Sequence, residues 1–249
     1  MLRNVALFSV LALLIMALPS FAQSNIDAKK LFNEGNAMLK GGDFEGAIGK
    51  YDAALKIEKH EYYYYQRGLA QKKARKMDAA LASFHSAVQT NPKWAVGYVA
   101  LAGAHFGQGD YEKAIQDYEN ALKENPTLGP AKKGLAAAQT AQAQSVLGQG
   151  QANEAIELSQ KAIANDGKYD KAYLILAQAY NKNGAYDNAI KAAQNAIKYT
   201  KGSKGAAYFE MGLAYRNQGN TSKAKESFSS AKKDPAYARS ADYELKMLK

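Results

Sequence analysis

No cysteine occurs among the 249 residues. That excludes a disulfide scaffold, a thiolate-ligated zinc or iron–sulfur site, and thiol chemistry. Histidine is nearly as scarce. His60, His85 and His105 stand far apart, no two at the i, i+4 spacing of helical metal ligands, and no Ser–His–Asp set or carboxylate pair assembles around them. No metal and no cofactor are expected, and the protein is read as non-catalytic. Arginine is a third scarcity, with five residues against 28 lysines among the 33 basic ones. Nucleic-acid readers favour the arginine fork, so a dispersed lysine excess reads as a solvated coat, and no nucleic-acid partner is expected. Proline numbers only five. Beyond the N-terminus, no apolar run is long enough to span a bilayer.

What is present begins with an export pattern. Met1 to Asn4 carries the positive charge of Arg3, Val5 to Leu18 is an almost unbroken apolar run, and Ser20-Phe21-Ala22 puts small residues at the two positions that a signal peptidase reads. Residues 1–22 are therefore expected to be a secretory signal cleaved before Gln23. An uncleaved membrane anchor fits less well, because the run falls short of the roughly 20 residues a span needs and Pro19 ends it. With no cysteine near the cleavage point, no lipoprotein anchor is expected. The mature chain is placed in the periplasm or outside the cell. It holds 32 basic and 23 acidic residues, a net charge of +9.

The rest of the chain repeats itself. Small residues followed by an aliphatic or long side chain recur at Ala47, Ala80, Ala114, Ala155, Ala189 and Ala224, spaced by 33, 34, 41, 34 and 35 residues. A second small series lies twelve residues earlier (Gly35, Gly68, Ala102, Ala143, Ala177, Gly212) and a third seven residues later (Ala54, Ala87, Ala121, Ala162, Ala196, Ala231). Such phase-locked series mean two helices per unit, close enough at their small residues for the axes to approach. Larger apolar residues hold matching phases: Leu31, Tyr64, Tyr98, Tyr173 and Tyr208 in first helices, Tyr51, Phe84, Tyr118 and Phe228 in second ones. Glycine-rich turns such as Gly41-Gly42-Asp43, Gly109-Asp110 and Gly219-Asn220 separate the two helices. Pro92, Pro126, Pro130 and Pro235 all fall between helices or in a first turn.

Read this way, the segment Gly109-Asp110-Tyr111-Glu112-Lys113-Ala114-Ile115, with Tyr118, Ala121-Leu122 and Asn125-Pro126, closely resembles the tetratricopeptide repeat family. Gly35 through Leu55 and Arg67 through Pro92 match nearly as well. The resemblance implies an all-α fold, a right-handed superhelical solenoid of about six helix-turn-helix repeats. Their expected bounds are about 28–60, 61–94, 95–128, 129–169, 170–204 and 205–234, with a capping helix over 235–249. The fourth repeat is seven residues longer, about two helical turns, which predicts an extended first helix. It carries Gln139 where others carry Leu or Tyr, and Ser159 in place of the second-helix aromatic. A thinner core and a softer joint are expected there.

As a guide to function the family implies a scaffold for protein partners. It also implies groove-facing side chains at the second, fifth, ninth, twelfth and thirteenth positions of each repeat. Carried onto this sequence, these are Lys29, Phe32, Asn36, Leu39 and Lys40, then Tyr62, Tyr65, Leu69, Lys72 and Lys73, then Val96, Val99, Gly103, Phe106 and Gly107. Phe32, Asn36, Tyr62, Tyr65, Leu69, Lys72, Lys73, Val96, Val99 and Phe106 are the candidate binding residues. The strip is aromatic and aliphatic, and packing between repeats is the alternative role for its rings. Some family members clamp a terminal carboxylate with Lys at the fifth and Asn at the ninth position. Here Asn36 matches but Phe32 replaces the Lys, which disfavours that clamp. A protein or peptide partner is expected, in the aromatic groove of an envelope adaptor. Weak self-association into a structural assembly and attachment to anionic envelope polymers are the alternatives.

Overall fold

The structure is a computed structural model, and it describes residues 25–248. The expected signal over residues 1–22 lies outside the described residues. Among the described residues every regular element is an α-helix. Six pairs follow one another: α1 (25–41) with α2 (Phe44–Ile57), α3 (Glu61–Lys73) with α4 (Met77–Thr90), and α5 (Ala95–Gln108) with α6 (Tyr111–Glu124). Then come α7 (Gly129–Gly148) with α8 (Ala152–Asn165), α9 (Asp170–Asn183) with α10 (Tyr186–Tyr199), and α11 (Gly205–Asn217) with α12 (Thr221–Ala231). A single helix, α13 (Ala238–Met247), follows the last pair.

The chain divides into two compact units. One runs to His105 and includes Lys123–Asn125; the other comprises Phe106–Leu122 and Pro126 onward. In the first unit the small-residue phases do what their spacing requires. A Cβ placed on Gly35 would lie 2.7 Å from the Tyr51 ring, and one on Gly68 would lie 2.6 Å from the Phe84 ring. Tyr51 and Phe84 are almost wholly buried, each contributing on the order of 1.5–3 kcal/mol by leaving water. Glycine on the first helix thus makes room for the aromatic on the second. A polar network crosses the same interior. Arg67 donates from Nε to Ser83 Oγ (3.0 Å) and from Nη1 to Asp52 Oδ1 (2.7 Å), and Ser83 Oγ donates to Gln71 Oε1 (2.6 Å). It ties α2, α3 and α4 together, with every buried polar atom supplied with a partner.

The second unit uses the lock again at its end, where the Phe228 ring stands 2.7 Å from a Cβ on Gly212. Between these ends the volume is shared differently. Ser159 and Ala193 hold the aromatic's phase, and alanines 143 and 177 hold the glycine's. In α7, which is 20 residues long against 13 or 14 in the other first helices from α3 onward, Gln139 is buried and accepts a hydrogen bond from Asn165 Nδ2 at 3.0 Å. Ser159 is fully buried and its hydroxyl has no partner. Apolar packing in this region gathers on Val146, Leu147 and Ile175. Helix α13 packs on α12 through Ala241 and Leu245, joined by Leu248 just beyond its end, around Phe228 and Ala231.

Candidate functional site

Helix α3 shows how one turn of four tyrosines is divided. Tyr63 is buried, against Phe32 with ring centroids 4.7 Å apart. Tyr64 is half-buried and lies under the Arg67 guanidinium at 5.3 Å. Tyr65 is half-buried, 6.0 Å from Phe84 and edge-on to Trp94 at 5.2 Å. Tyr62 is 47% exposed and lies 4.8 Å from Trp94. The helix starts at His60, whose Nδ1 accepts from the Tyr62 amide, so the order of faces is fixed from the first turn.

The other candidates fall on both sides of the same division. Val96, two residues beyond Trp94, is 41% exposed, whereas Val99 is half-buried. Leu69 packs with Tyr65 against the core formed by Phe84, Val88 and Leu101. Asn36 is half-buried and accepts a hydrogen bond from the Tyr51 hydroxyl at 2.7 Å, so its carbonyl serves the interior. Lys72 and Lys73 are exposed in the last turn of α3, where cations complement the helix dipole. Phe32 contributes a wall to an open cavity of about 550 Å³, together with Lys29, Glu58, His60, Tyr62 and Tyr63. Burial pushes the hydroxyls of Tyr65 and Tyr63 above the ordinary tyrosine value, with the Glu58 carboxylate adding to the effect at Tyr63. Phe106 belongs to the second unit, where its ring lies 5.5 Å from Tyr111. In the first unit Phe32 thus joins Tyr51 and Tyr63 in one aromatic group and Tyr62 and Tyr65 meet Trp94 in another, while Leu69 packs into the core and Val96 is exposed. Trp94, the single tryptophan of the sequence, joins Tyr62 to Tyr65 and was not among the expected residues. Its position just before α5 is the signal that could have marked it.

The second unit has a separate concavity, also missed from sequence. It holds about 550 Å³ and is formed by α7, α9 and α11. Leu147 and Leu213 give apolar lining, and Gln178, Asn181 and Glu210 share the cavity with them. Asn181 Nδ2 donates to Glu210 Oε2 at 2.8 Å and to the Glu210 carbonyl at 2.9 Å, linking α9 to α11. Burial pushes the Glu210 carboxyl above the ordinary carboxylate value, against the hydrogen bonds from Asn181 and Gln178 that favour its ionised form. Extending the ninth, twelfth and thirteenth positions to these later repeats would have found most of this lining.

Three models described as tetratricopeptide repeat match the chain, over residues 95–168, 140–207 and 206–235, together more than half its length. The chain belongs to the tetratricopeptide repeat family. Among curated relatives it is 35% identical over 111 residues to the Hsp70-Hsp90 organizing protein of Triticum aestivum, covering 44% of this chain and 19% of that one. It is 30% identical over 113 residues to heat shock protein STI1 of Saccharomyces cerevisiae, covering 45% and 19%. Serine/threonine-protein phosphatase 5 of Homo sapiens also matches, 29% identical over 106 residues, covering 42% and 21%. The chain thus spans about a fifth of the length of these relatives. Among solved structures, the MamA protein superposes with a TM-score of 0.57 at 24% identity, covering 74% of this chain and 96% of that one. YrrB, described as a TPR protein with an unusual peptide-binding site, gives 0.59 at 17% identity, covering 79% and 97%. At these identities the superpositions speak to the fold.

Proposed function

We propose that this protein is a non-catalytic adaptor of the cell envelope, exported by the signal at residues 1–22, that holds a segment of another protein against the aromatic surface of its first repeats. The observation that carries the reading is the pair Tyr62 and Trp94, rings 4.8 Å apart, with Tyr62 47% exposed and exposed Val96 close by in sequence. Large aromatic groups held rigidly at a surface are the side chains on which partner segments gain most binding energy. The family supports the same reading, since its name-bearing relatives include chaperone-organising proteins and a neighbour described by its peptide-binding site. Lysine excess would raise the rate of encounter with acidic partners without setting the affinity.

Tyr62→Ala combined with Val96→Ser tests it. Neither side chain is part of the buried core, so helicity and cooperative melting are expected to stay close to those of the natural protein, unlike a change at Tyr65, which packs on Phe84. Crosslinking in the native envelope followed by mass spectrometry should recover a partner with the natural protein and about tenfold less with the variant. Equal recovery overturns the groove reading. Self-assembly is the second reading, favoured by Tyr243 and Met247, 62% and 66% exposed and four residues apart on α13. Light scattering that reports one unchanging mass across a concentration series excludes it.

A further inference from the structure

Among the carboxyl groups of the described residues whose acidity is displaced, Glu210 goes up while Glu34, Glu61, Asp234 and Asp242 go down. The difference has a geometric cause. Glu210 sits in the cavity between α7, α9 and α11, and its hydrogen bonds come from neutral amides: Asn181 at 2.8 Å, and Gln178. The cations that share the cavity are engaged elsewhere. Lys182 Nζ donates to the Leu147 carbonyl at 3.2 Å, where it meets the negative end of the α7 dipole, and Arg216 pairs with Glu244 of α13. A carboxylate taken partly out of water, held in place by amides and given no counter-ion, is costly in the free protein. That cost is relieved when a cation arrives from outside.

We propose that this cavity takes a lysine or arginine side chain of the bound partner, with Glu210 as its counter-ion and Leu147 and Leu213 flanking its aliphatic stem. The fit has two parts. An amphipathic side chain of this kind needs apolar walls along its length and an acceptor at its end, and the cavity lining holds both. Asn181 and Gln178 fix the carboxylate before the guest enters, so little side-chain freedom is lost on binding. Lys182 and Arg216, already committed to Leu147 and Glu244, form the edge and exclude a second cation. The proposal assumes that the protein binds a partner segment, and names the chemistry of one side chain in that segment.

The test uses small probes, so that it reports on the cavity alone. Side-chain amide signals of Asn181 and Gln178 are followed by nuclear magnetic resonance in the intact protein. Titrants are n-butylguanidinium chloride, n-butylammonium chloride and, at matched ionic strength, sodium butyrate. The cations should shift both signals saturably and butyrate should not. Glu210→Gln, which keeps the shape and removes the charge, should weaken the cation response about tenfold. A saturable response to butyrate, no response to either cation, or an undiminished response in Glu210→Gln overturns the proposal. The contrast between cation and anion in the unmutated protein stands even if a variant misfolds. Failure here leaves the Tyr62 and Val96 experiment untouched, and failure there leaves this one untouched.

Discussion

The turns inside the six helix pairs place one residue each in the left-handed region: Gly42, Arg75, Gly109, Gly150, Gly184 and Gly219. Their spacings, 33, 34, 41, 34 and 35, are those of the repeats themselves. After Gly42, Arg75, Gly150, Gly184 and Gly219 the next amide reaches back five residues, as when Asp43 N bonds the Met38 carbonyl at 3.0 Å or Lys76 N bonds the Gln71 carbonyl at 2.8 Å, closing the helix end on its own chain. Arg75 does at φ +61° what glycine does elsewhere at no steric cost. Its side chain is exposed and stands in a left-handed conformation. Arg75→Gly is therefore expected to stabilise the first unit by about 0.5–1 kcal/mol, the relieved strain exceeding the extra freedom glycine gains in the unfolded chain. A urea or thermal midpoint that falls would contradict this. At the same scale, Tyr62 to Tyr65 show what a sequence does not disclose. Four identical side chains must point four ways, but which one stays in solvent depends on where His60 starts the helix and on where Trp94 comes to rest.

At the scale of elements, α7 and α13 are the two that depart from the common unit. The two additional turns of α7 leave the pair α7 and α8 intact, with Leu147 and Val146 carrying the apolar contact near its end. Gln139, a polar residue at a core phase, is accommodated because Asn165 of α8 donates to it. Helix α13 covers the apolar side of α12 around Phe228 and Ala231. Its polar side is held by Arg216 to Glu244 and by Lys232 and Lys246 to Asp242, at 2.6 and 3.0 Å. The two lysines pull the Asp242 carboxyl down to about 2 through hydrogen bonds and charge. A depressed carboxyl contributes its stabilisation above the unfolded value, close to 3.8, and loses it as pH falls through about 2. Amide exchange in α13 should accordingly be steady from neutral pH to about 4 and accelerate between 4 and 2, apart from the intrinsic pH dependence. Asp242→Asn should flatten that additional step. A step of the same size in the variant would remove Asp242 as its cause.

At the scale of the whole molecule, stability comes from many small interiors shared by neighbouring helices, most of them with tyrosine as a component. Burial pushes the Tyr51 hydroxyl up to about 12 and raises Tyr65, Tyr118, Tyr169 and Tyr173 above the ordinary value near 10. A group whose folded value is raised keeps its contribution below the unfolded value and loses it as pH climbs through the folded one. The protein should therefore hold its stability up to about pH 10 and lose it steeply between 10 and 12, as read by denaturant midpoints at each pH. Tyr51→Phe should make the loss shallower. An unchanged slope in that variant would place the titrating tyrosines elsewhere.

By itself the sequence determined that this chain is a series of helix pairs. A helix pair is a local object: its small residues, aromatic residues and turn glycines recur at fixed offsets, so the spacing of residues such as Gly35, Tyr51 and Gly42 specifies it without knowledge of the rest. It also determined membership in a family of interaction scaffolds. The tertiary structure decided the surfaces. Whether Tyr62 or Tyr65 meets solvent, that Asn36 serves Tyr51, that Trp94 bridges two tyrosines, and that Glu210 is held by Asn181 and Gln178 without a cation are outcomes of contacts between residues 15 to 32 positions apart. The contact of Asn36 with Tyr51 forms inside one helix pair, but the others depend on how one pair rests on the next, and no single repeat contains that information.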